Sequence, residues 1–141
     1  MQRKASAEWK GGFKDGKGTI STGSGVLSSA PYGFHARFED GPGTNPEELI
    51  GAAHAGCFSM ALSVALGQAG LTADKIATNA TVTFGPQGDG FAITDVHLDL
   101  VAKIPGATDE QFQQIAAGAK ANCPVSKVLN ANITLTAKLE A

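Results

Sequence analysis

The sequence is poor in residues that mark several common classes of protein. It has two cysteines in 141 residues and no Cys-x-x-Cys or His-x-x-x-His spacing, so a structural zinc site is not indicated. Lys and Arg are scattered and the formal net charge is -2, which argues against nucleic-acid or anionic-membrane partners. Residues 1–10 are polar and lack the apolar core of a signal peptide, and no stretch approaches the roughly 18 apolar residues of a membrane span. We therefore expect a cytoplasmic protein, in which a permanent structural disulfide is not the expected use of two cysteines.

The remaining composition suits one compact domain over residues 1–141. We expect an N-terminal strand region at 1–44 and a helix-strand-strand-helix-strand part at 45–141. Hydrophobic residues make up 43% and charged residues 17%, an ordinary balance for a globular chain. The predicted element order β-β-β-α-β-β-α-α-β indicates an α+β fold with antiparallel sheet around a buried helix.

The predicted strands show alternating apolar and polar residues or are bounded by turn residues. In 32–39, aromatic and small residues alternate with polar ones, which predicts a half-buried strand with Arg37 on its polar face. The predicted strands read AEWKG, GTIST, YGFHARFE, IATNATVTF, GFAITDVHLDLVAKI and NITLTAKLEA. The segment ATDEQFQQIAAGAKAN predicts an amphipathic helix, and CPVSKVLNA a short helix or turn.

A long helix follows the third strand. Asn45 is a good N-cap, Pro46 suits the first helical position, and Gly70 marks the end. The helix is apolar nearly all round, so we expect it to be buried on most of its faces. Gly51 and Gly56 within it predict close backbone packing at those turns.

The two cysteines occupy different local environments. Cys57 lies in the middle of the long helix, where a free cysteine is commonly a packed, inert hydrophobe, and a reactive thiol there needs a cation supplied from elsewhere. Cys123 stands at an N-cap before Pro124, where the helix start favours a thiolate. Cys123 is thus the easier thiol to ionise locally, although it also has the simpler role of a cap. The local pattern does not decide which cysteine attacks.

Three other side chains are candidates for chemistry around Cys57. Glu47 precedes Cys57 by ten residues, which places it about 280° around and about 15 Å along the axis of a straight helix. Cooperation between Glu47 and Cys57 therefore requires another subunit or a bridging arginine. Arg37, one of two arginines, can bind a carboxylate and a thiolate together. Their simpler interpretations are first-turn helix stabilisation and a solvated strand face. His54 permits a Cys–His hydrolase pair, but no orienting residue is evident, and packing or hydrogen bonding in the core is the simpler role.

Three segments resemble the OsmC/Ohr family of thiol peroxidases, and within it the OsmC (osmotically inducible protein C) branch. They are GKGTISTGSGVLSSAPYGFHARFEDGPGTNPEELIGAAHAGCFSMAL at 16–62, GFAIT at 90–94 and CPVSKVLNANITL at 123–135. The resemblance extends from about residue 8 to the C-terminus. The combination of the block around Cys57 with the later CPVS is specific.

The resemblance implies a two-cysteine peroxidase that reduces organic hydroperoxides to alcohols in oxidative or osmotic stress defence. Cys57 matches the peroxidatic cysteine and Cys123 the resolving cysteine, which reverses the local ranking. Arg37 and Glu47 match the arginine and glutamate that flank the thiolate. The implied assembly is an intertwined homodimer, with antiparallel sheets wrapped around long central helices and two active sites at the subunit interface. No metal, flavin or haem is implied.

The implied cycle forms a Cys57 sulfenic acid and then a Cys57–Cys123 disulfide, which a dithiol, by resemblance a dihydrolipoyl group, reduces. We expect an apolar substrate pocket lined by Phe34, Phe38, Phe58 or Met60. Two alternatives remain. One is a non-enzymatic protein that binds an apolar stress metabolite in the dimer groove, and the other is a structural dimer with inert thiols.

Overall fold

The computed structural model describes residues 1–141, which divide into two compact units, Met1–Leu49 and Ile50–Ala141. The elements include two three-stranded sheets and four helices, which confirms the α+β class. The single-domain organisation over 1–141 stays a prediction.

The N-terminal unit contains one antiparallel sheet. Its strands are β1 Ala5–Lys10, β2 Lys17–Thr22 and β3 Ala30–Tyr32, which pair in the order β1-β2-β3. The first two strands form the predicted hairpin around a glycine-rich turn. A short helix, α1 Phe34–Phe38, follows the sheet.

The predicted strand over 32–39 is wrong, because most of this segment forms α1. Phe34 and Phe38 lie one helical turn apart, with ring centroids 5.1 Å from each other, and both rings pack against Phe13. In so short a segment, Phe34 and Phe38 lie on the same face of either a strand or a helix, so their spacing does not distinguish the two conformations. The aromatic cluster, a tertiary contact, therefore decides the conformation.

The long helix α2 spans Pro46–Gln68 and has the predicted boundaries. The Asn45 side chain accepts a hydrogen bond from the Glu48 N–H at 2.7 Å, as an N-cap does. At the other end, Gly70 has a φ of 76°, a conformation that glycine adopts at little cost. Capping chemistry is local, which explains why the sequence predicts both ends.

The exposure of α2 differs from the expectation of burial on most faces. Within the chain its buried residues form a single stripe, at Glu47, Gly51, His54, Phe58, Leu62 and Leu66. Met60 and Val64 are 74% and 61% exposed. By length and composition alone α2 is also long and apolar enough to cross a membrane, so the expectation that no stretch approaches a span is wrong. That test is weak evidence for a span, since the core helices of globular proteins also pass it.

The C-terminal unit contains most of α2 and a second sheet. Its further elements are β4 Lys75–Gln87, β5 Gly90–Lys103, α3 Asp109–Asn122, α4 Pro124–Val128 and β6 Asn132–Glu140. The strands lie in the order β4-β5-β6; β4 pairs antiparallel with β5, but β5 pairs parallel with β6. The expectation of purely antiparallel sheets is therefore wrong. Two helices separate β5 from β6, which is long enough for a parallel crossover connection.

The core of this unit lies between α2, α3 and the sheet. Alternate residues of β5 point into it, and the apolar face of α3 covers it. The fully buried side chains are Phe58, Phe112, Leu62, Leu66, Leu98, Leu100, His54, Val96 and Cys123. Two of these, His54 and Cys123, have ionisable side chains in an otherwise apolar core.

Candidate functional site

Cys123 lies at the junction of α3 and α4, where it ends one helix and begins the next. Its N–H donates to the Ala119 carbonyl at 2.9 Å, and its carbonyl accepts from the Lys127 N–H at 3.1 Å. Pro124 occupies the first position of α4, as predicted. The backbone of Cys123 is therefore fixed from both sides, and its side chain is fully buried.

Cys57 lies on α2 in hydrogen-bond contact with Cys123. Both cysteines are free, Cys57 is partly exposed, and the Cys57 thiol donates a hydrogen bond to the Cys123 sulfur. Cysteines distant in the sequence thus have their sulfur atoms adjacent in the C-terminal unit. Adjacent sulfurs are the starting geometry for thiol–disulfide chemistry.

The environment shifts the pKa values of the two thiols in opposite directions. Burial raises the pKa of Cys57, and the hydrogen bond to Cys123 raises it further, while the Val125 N–H partly offsets both effects. Burial also raises the pKa of Cys123, but hydrogen bonds from Cys57, Ser126 and Val125 outweigh it, and the net pKa is lowered. Within this unit alone Cys123 is the better thiolate, in agreement with local sequence electrostatics.

A buried histidine lies behind the Cys123 junction. His54 is 0% exposed, and its Nε2 lies 2.7 Å from the Ser126 hydroxyl. Burial lowers the pKa of His54, and its Nδ1 has no hydrogen-bond partner. The structure thus places His54 in the core with a hydrogen bond, as expected, and the hydroxyl of Ser126 bonds both His54 and Cys123.

Arg37 and Glu47 form an ion pair in the N-terminal unit. The Arg37 Nε donates to Glu47 Oε1 at 2.9 Å, with 37% and 10% of the two side chains exposed. Arg37 lies on α1 and Glu47 in the first turn of α2. The Asn45 side chain joins these elements by donating to the Ala36 carbonyl at 3.1 Å. The guanidinium is thereby held by a buried carboxylate, while part of the Arg37 side chain is exposed.

An aromatic cavity of about 180 Å³ opens beside Arg37 in the same unit. Its lining is Trp9, Phe13, Tyr32, Gly33, Phe34, Arg37 and Phe38. A cavity is therefore found at Phe34 and Phe38, two of the four positions expected to line the substrate pocket, and its use by a substrate stays a prediction. It is not found at the other two predicted positions, because Phe58 is fully buried in the core of the C-terminal unit and Met60 lies on the exposed side of α2.

Comparison with known proteins identifies the family. The sequence model described as "OsmC-like protein" matches residues 39–138. The chain belongs to the OsmC-like family. A curated relative of this family, "Peroxiredoxin OsmC" of Escherichia coli (strain K12), is 53% identical over 141 residues, which are 100% of this chain and 99% of the relative. The "Organic hydroperoxide resistance protein" of Xanthomonas axonopodis pv. citri is 31% identical over 100 residues, 70% of this chain and 68% of that protein.

Solved structures give the same family. The crystal structure of the organic hydroperoxide resistance protein OhrB of Bacillus subtilis aligns with a TM-score of 0.69 at 26% identity, over 97% of this chain and 98% of that chain. An OsmC-like protein of unknown function from Vibrio cholerae aligns with a TM-score of 0.76 at 17% identity, over 97% and 99% of the two chains. At that lower identity the likeness shows the fold alone.

The four site residues predicted from the OsmC resemblance occur as two pairs. Arg37 contacts Glu47 in one unit, and Cys57 contacts Cys123 in the other. Their catalytic roles stay predictions. No group of three or more His, Cys, Asp or Glu side chains is arranged to hold a metal ion.

Sequence reasoning missed Ser126 and the aromatic residues from the N-terminal strands. Trp9, Phe13 and Tyr32 join the cavity only because the first sheet and its turn bring them to α1, and no local pattern indicates that contact. Ser126 follows Cys123 by three residues at the start of α4, so the two residues lie within one helical turn of each other. That spacing was the available signal.

Proposed function

We propose that this OsmC-like protein is a peroxidase that reduces organic hydroperoxides to alcohols, with Cys57 as the peroxidatic and Cys123 as the resolving cysteine. The observation that carries the proposal is the hydrogen bond between the two free thiols, because a peroxidatic sulfenic acid needs a second thiol within reach. The names of the curated relatives, a peroxiredoxin and organic hydroperoxide resistance proteins, support the same class of substrate.

The proposed reaction uses two sulfur-centred displacements. The Cys57 thiolate attacks the distal peroxide oxygen, the O–O bond breaks, and the alkoxide leaves as an alcohol after taking a proton. Cys57 is then a sulfenic acid. Cys123 attacks its sulfur, forming a disulfide and releasing the hydroxyl oxygen as water. A dithiol, proposed to be a dihydrolipoyl group, restores both thiols by exchange.

The first displacement requires a cation near Cys57, because the C-terminal unit alone raises the pKa of this thiol. Arg37 is the proposed cation, and Glu47 orients its guanidinium by the ion pair that the two residues form. An arginine keeps its charge when partly desolvated and binds a carboxylate and a thiolate at once.

A homodimer supplies this cation in the proposal. Glu47 and Cys57 are ten residues apart on one helix, which separates them by about 15 Å along its axis. Arg37 and Glu47 of the partner subunit are the proposed neighbours of Cys57. The exposed apolar residues Met60 and Val64 of α2 support association with a second copy, which removes their surface from water. A cytoplasmic location stays a prediction.

One alternative is a non-enzymatic binding protein for an apolar metabolite, and the aromatic cavity beside Arg37 is the observation that favours it. The same cavity also suits the alkyl or aryl part of a hydroperoxide. A Cys57→Ser variant separates the two functions, because metabolite binding survives this change and turnover does not.

The proposal is tested by following cumene hydroperoxide consumption with dihydrolipoamide as the reductant. We expect sustained turnover by the wild type, none by Cys57→Ser, and at most one equivalent consumed per chain by Cys123→Ser before the reaction slows. A Cys57→Ser variant that turns over like the wild type excludes Cys57 as the attacking thiol. No turnover by the wild type excludes the enzyme.

A further inference from the structure

His54 and Ser126 form a hydrogen-bonded chain that ends at the resolving cysteine. The His54 Nε2 lies 2.7 Å from the Ser126 hydroxyl, and that hydroxyl also bonds the Cys123 sulfur. His54 and Cys123 are each 0% exposed. The mechanism proposed above gives neither His54 nor Ser126 a task, although a buried histidine inside an apolar core costs stability unless its polar atoms are satisfied.

The unpartnered atom of His54 fixes the direction of this chain. Its Nδ1 is buried without a partner, and a hydrogen placed there is a wasted donor. The neutral imidazole therefore carries its hydrogen on Nε2 and donates it to the Ser126 oxygen. With its oxygen already accepting, Ser126 has its own hydrogen free to donate. The Cys123 sulfur is close enough to this hydroxyl for the hydroxyl to lower the pKa of Cys123.

We propose that Ser126 is a catalytic residue of the resolving step and that His54 is the residue that positions it. Ser126 donates a hydrogen bond to the Cys123 thiolate, and His54 holds the hydroxyl in the orientation that makes this donation possible. The inference rests on the proposed function, because it takes Cys123 as the resolving cysteine.

The step balances without another reactant. Cys123 passes its proton to the oxygen of the adjacent Cys57 sulfenic acid and attacks the Cys57 sulfur with an electron pair. The S–S bond forms and the S–O bond breaks. The oxygen, which carries its own hydrogen and the proton from Cys123, leaves as water. Cys57 is partly exposed, so the released water can leave the site.

The hydroxyl matters because Cys123 has no exposure to water. A buried thiolate without donors reverts to the thiol, and the thiol does not attack. A hydrogen bond to a charged group is stronger than one to a neutral group, and its loss slows thiolate attack by about tenfold. His54 acts only through Ser126, so its removal has a smaller effect of the same kind.

The test separates the two chemical steps in a single turnover with one equivalent of cumene hydroperoxide. Peroxide loss reports the attack by Cys57, and quenched samples analysed by mass, with and without dimedone, report sulfenic acid and disulfide. In Ser126→Ala we expect peroxide loss within about twofold of the wild-type rate, disulfide formation slowed about tenfold, and a dimedone adduct on Cys57 that the wild type lacks. His54→Phe shows the same change with a smaller size.

Conservative variants and a matched control complete the experiment. Ser126→Thr keeps the hydroxyl and His54→Gln keeps an N–H donor, so both restore most of the disulfide rate. Ser59→Ala is the matched control. It removes a hydroxyl on α2 that is bonded to Thr78 at 2.8 Å, and we expect the rates of peroxide loss and disulfide formation to be unchanged. If His54→Phe does not fold, Ser126→Ala and Ser126→Thr decide the question.

Two outcomes overturn the inference while leaving the peroxidase intact. In one, Ser126→Ala forms the disulfide at the wild-type rate. In the other, it slows peroxide loss and disulfide formation equally, as a general disturbance of the fold does. If the wild type itself consumes no peroxide, the proposed function has failed instead.

Discussion

The two thiols of this protein are chemically unequal, and the inequality defines the task that the proposed mechanism gives to Arg37. Burial and the contact with Cys123 raise the pKa of Cys57, whereas hydrogen bonds lower that of Cys123 despite its burial. A peroxidatic role for Cys57 therefore depends on a charge from outside its own surroundings. Arg37 is suited to this role because the buried Glu47 already orients it.

We therefore expect removal of Arg37 to affect catalysis more than stability. We expect Arg37→Ala to lower kcat/KM for cumene hydroperoxide by about 100-fold, because the Cys57 thiolate loses its counter-charge. The same change leaves the buried Glu47 carboxylate without its cation, which itself destabilises the fold. Arg37→Ala combined with Glu47→Gln removes this second effect, so its midpoint of denaturant unfolding stays close to the wild type. Wild-type turnover by the double variant contradicts the role of Arg37.

The buried His54 makes stability depend on pH. Its pKa is lowered in the folded protein, so below the ordinary value of about 6.5 the unfolded chain binds a proton that the folded chain does not. The free energy of unfolding therefore falls as pH drops from 7 towards 5, with a slope of at most about 1.4 kcal/mol per pH unit from this residue. Denaturant titrations at several pH values measure the slope.

His54→Gln is the control for this prediction, since glutamine does not titrate. We expect the variant to show a flatter dependence over the same range. An equal slope in the two proteins assigns the effect to other groups. The lowered pKa values of Asp95 and Glu140 act in the same direction but at lower pH, because carboxyl groups titrate near 4.

At the scale of elements, the sequence predicts what local chemistry controls. The helix boundaries at Asn45, Gly70 and Cys123 were predicted because each depends on local chemistry: a capping side chain, a glycine, and a proline at the next position. The sequence did not predict the helical conformation of α1 or the parallel pairing of β5 with β6, because both depend on contacts between distant segments. The order of the other elements is as expected.

Glycine positions in α2 show the same division. A Cβ added at Gly51 lies 3.4 Å from Val82 on β4, so this turn packs closely, as predicted. A Cβ at Gly56 meets nothing within 4 Å, so close packing is not found there in the chain. The sequence shows where the glycines of α2 lie, but only the fold shows which of them packs closely against another element.

A matched pair of leucine substitutions tests the packing of α2. We expect Gly51→Leu to destabilise the protein by about 1–3 kcal/mol, because the side chain overlaps β4. Gly67→Leu has open space around it and stabilises the helix by about 0.5–1 kcal/mol through propensity alone. Denaturant unfolding gives both values. Equal effects at the two positions contradict the packing of Gly51 against Val82.

At the scale of the whole molecule, the exposed apolar side of α2 is the feature that one chain leaves unexplained. The sequence predicts an apolar helix but not which faces the same chain covers. A second copy is the proposed cover, and in the same proposal it brings a partner's Arg37 to Cys57. The sequence implied the Cys57–Cys123 contact only by resemblance. The structure shows the contact, which no local rule predicts for residues so far apart.

Mixing two inactive variants tests whether the active site is shared between subunits. Cys57→Ser lacks the nucleophile and Arg37→Ala lacks the cation, but their heterodimer has one complete site of two. After unfolding and refolding together in equal amounts, half of the dimers are mixed, so we expect about a quarter of wild-type activity. Separately refolded variants combined without exchange are the control. No recovery in the exchanged mixture contradicts a shared site.

The most direct test of the two-cysteine mechanism is to count thiols after one turnover. The reduced protein is mixed with one equivalent of cumene hydroperoxide, and free thiols and intact mass are measured without added reductant. The proposed mechanism predicts the loss of both thiols of each chain and about 2 Da, reversed by dihydrolipoamide. Persistence of both thiols with the peroxide intact contradicts it, and Cys57 is then part of the packing of α2.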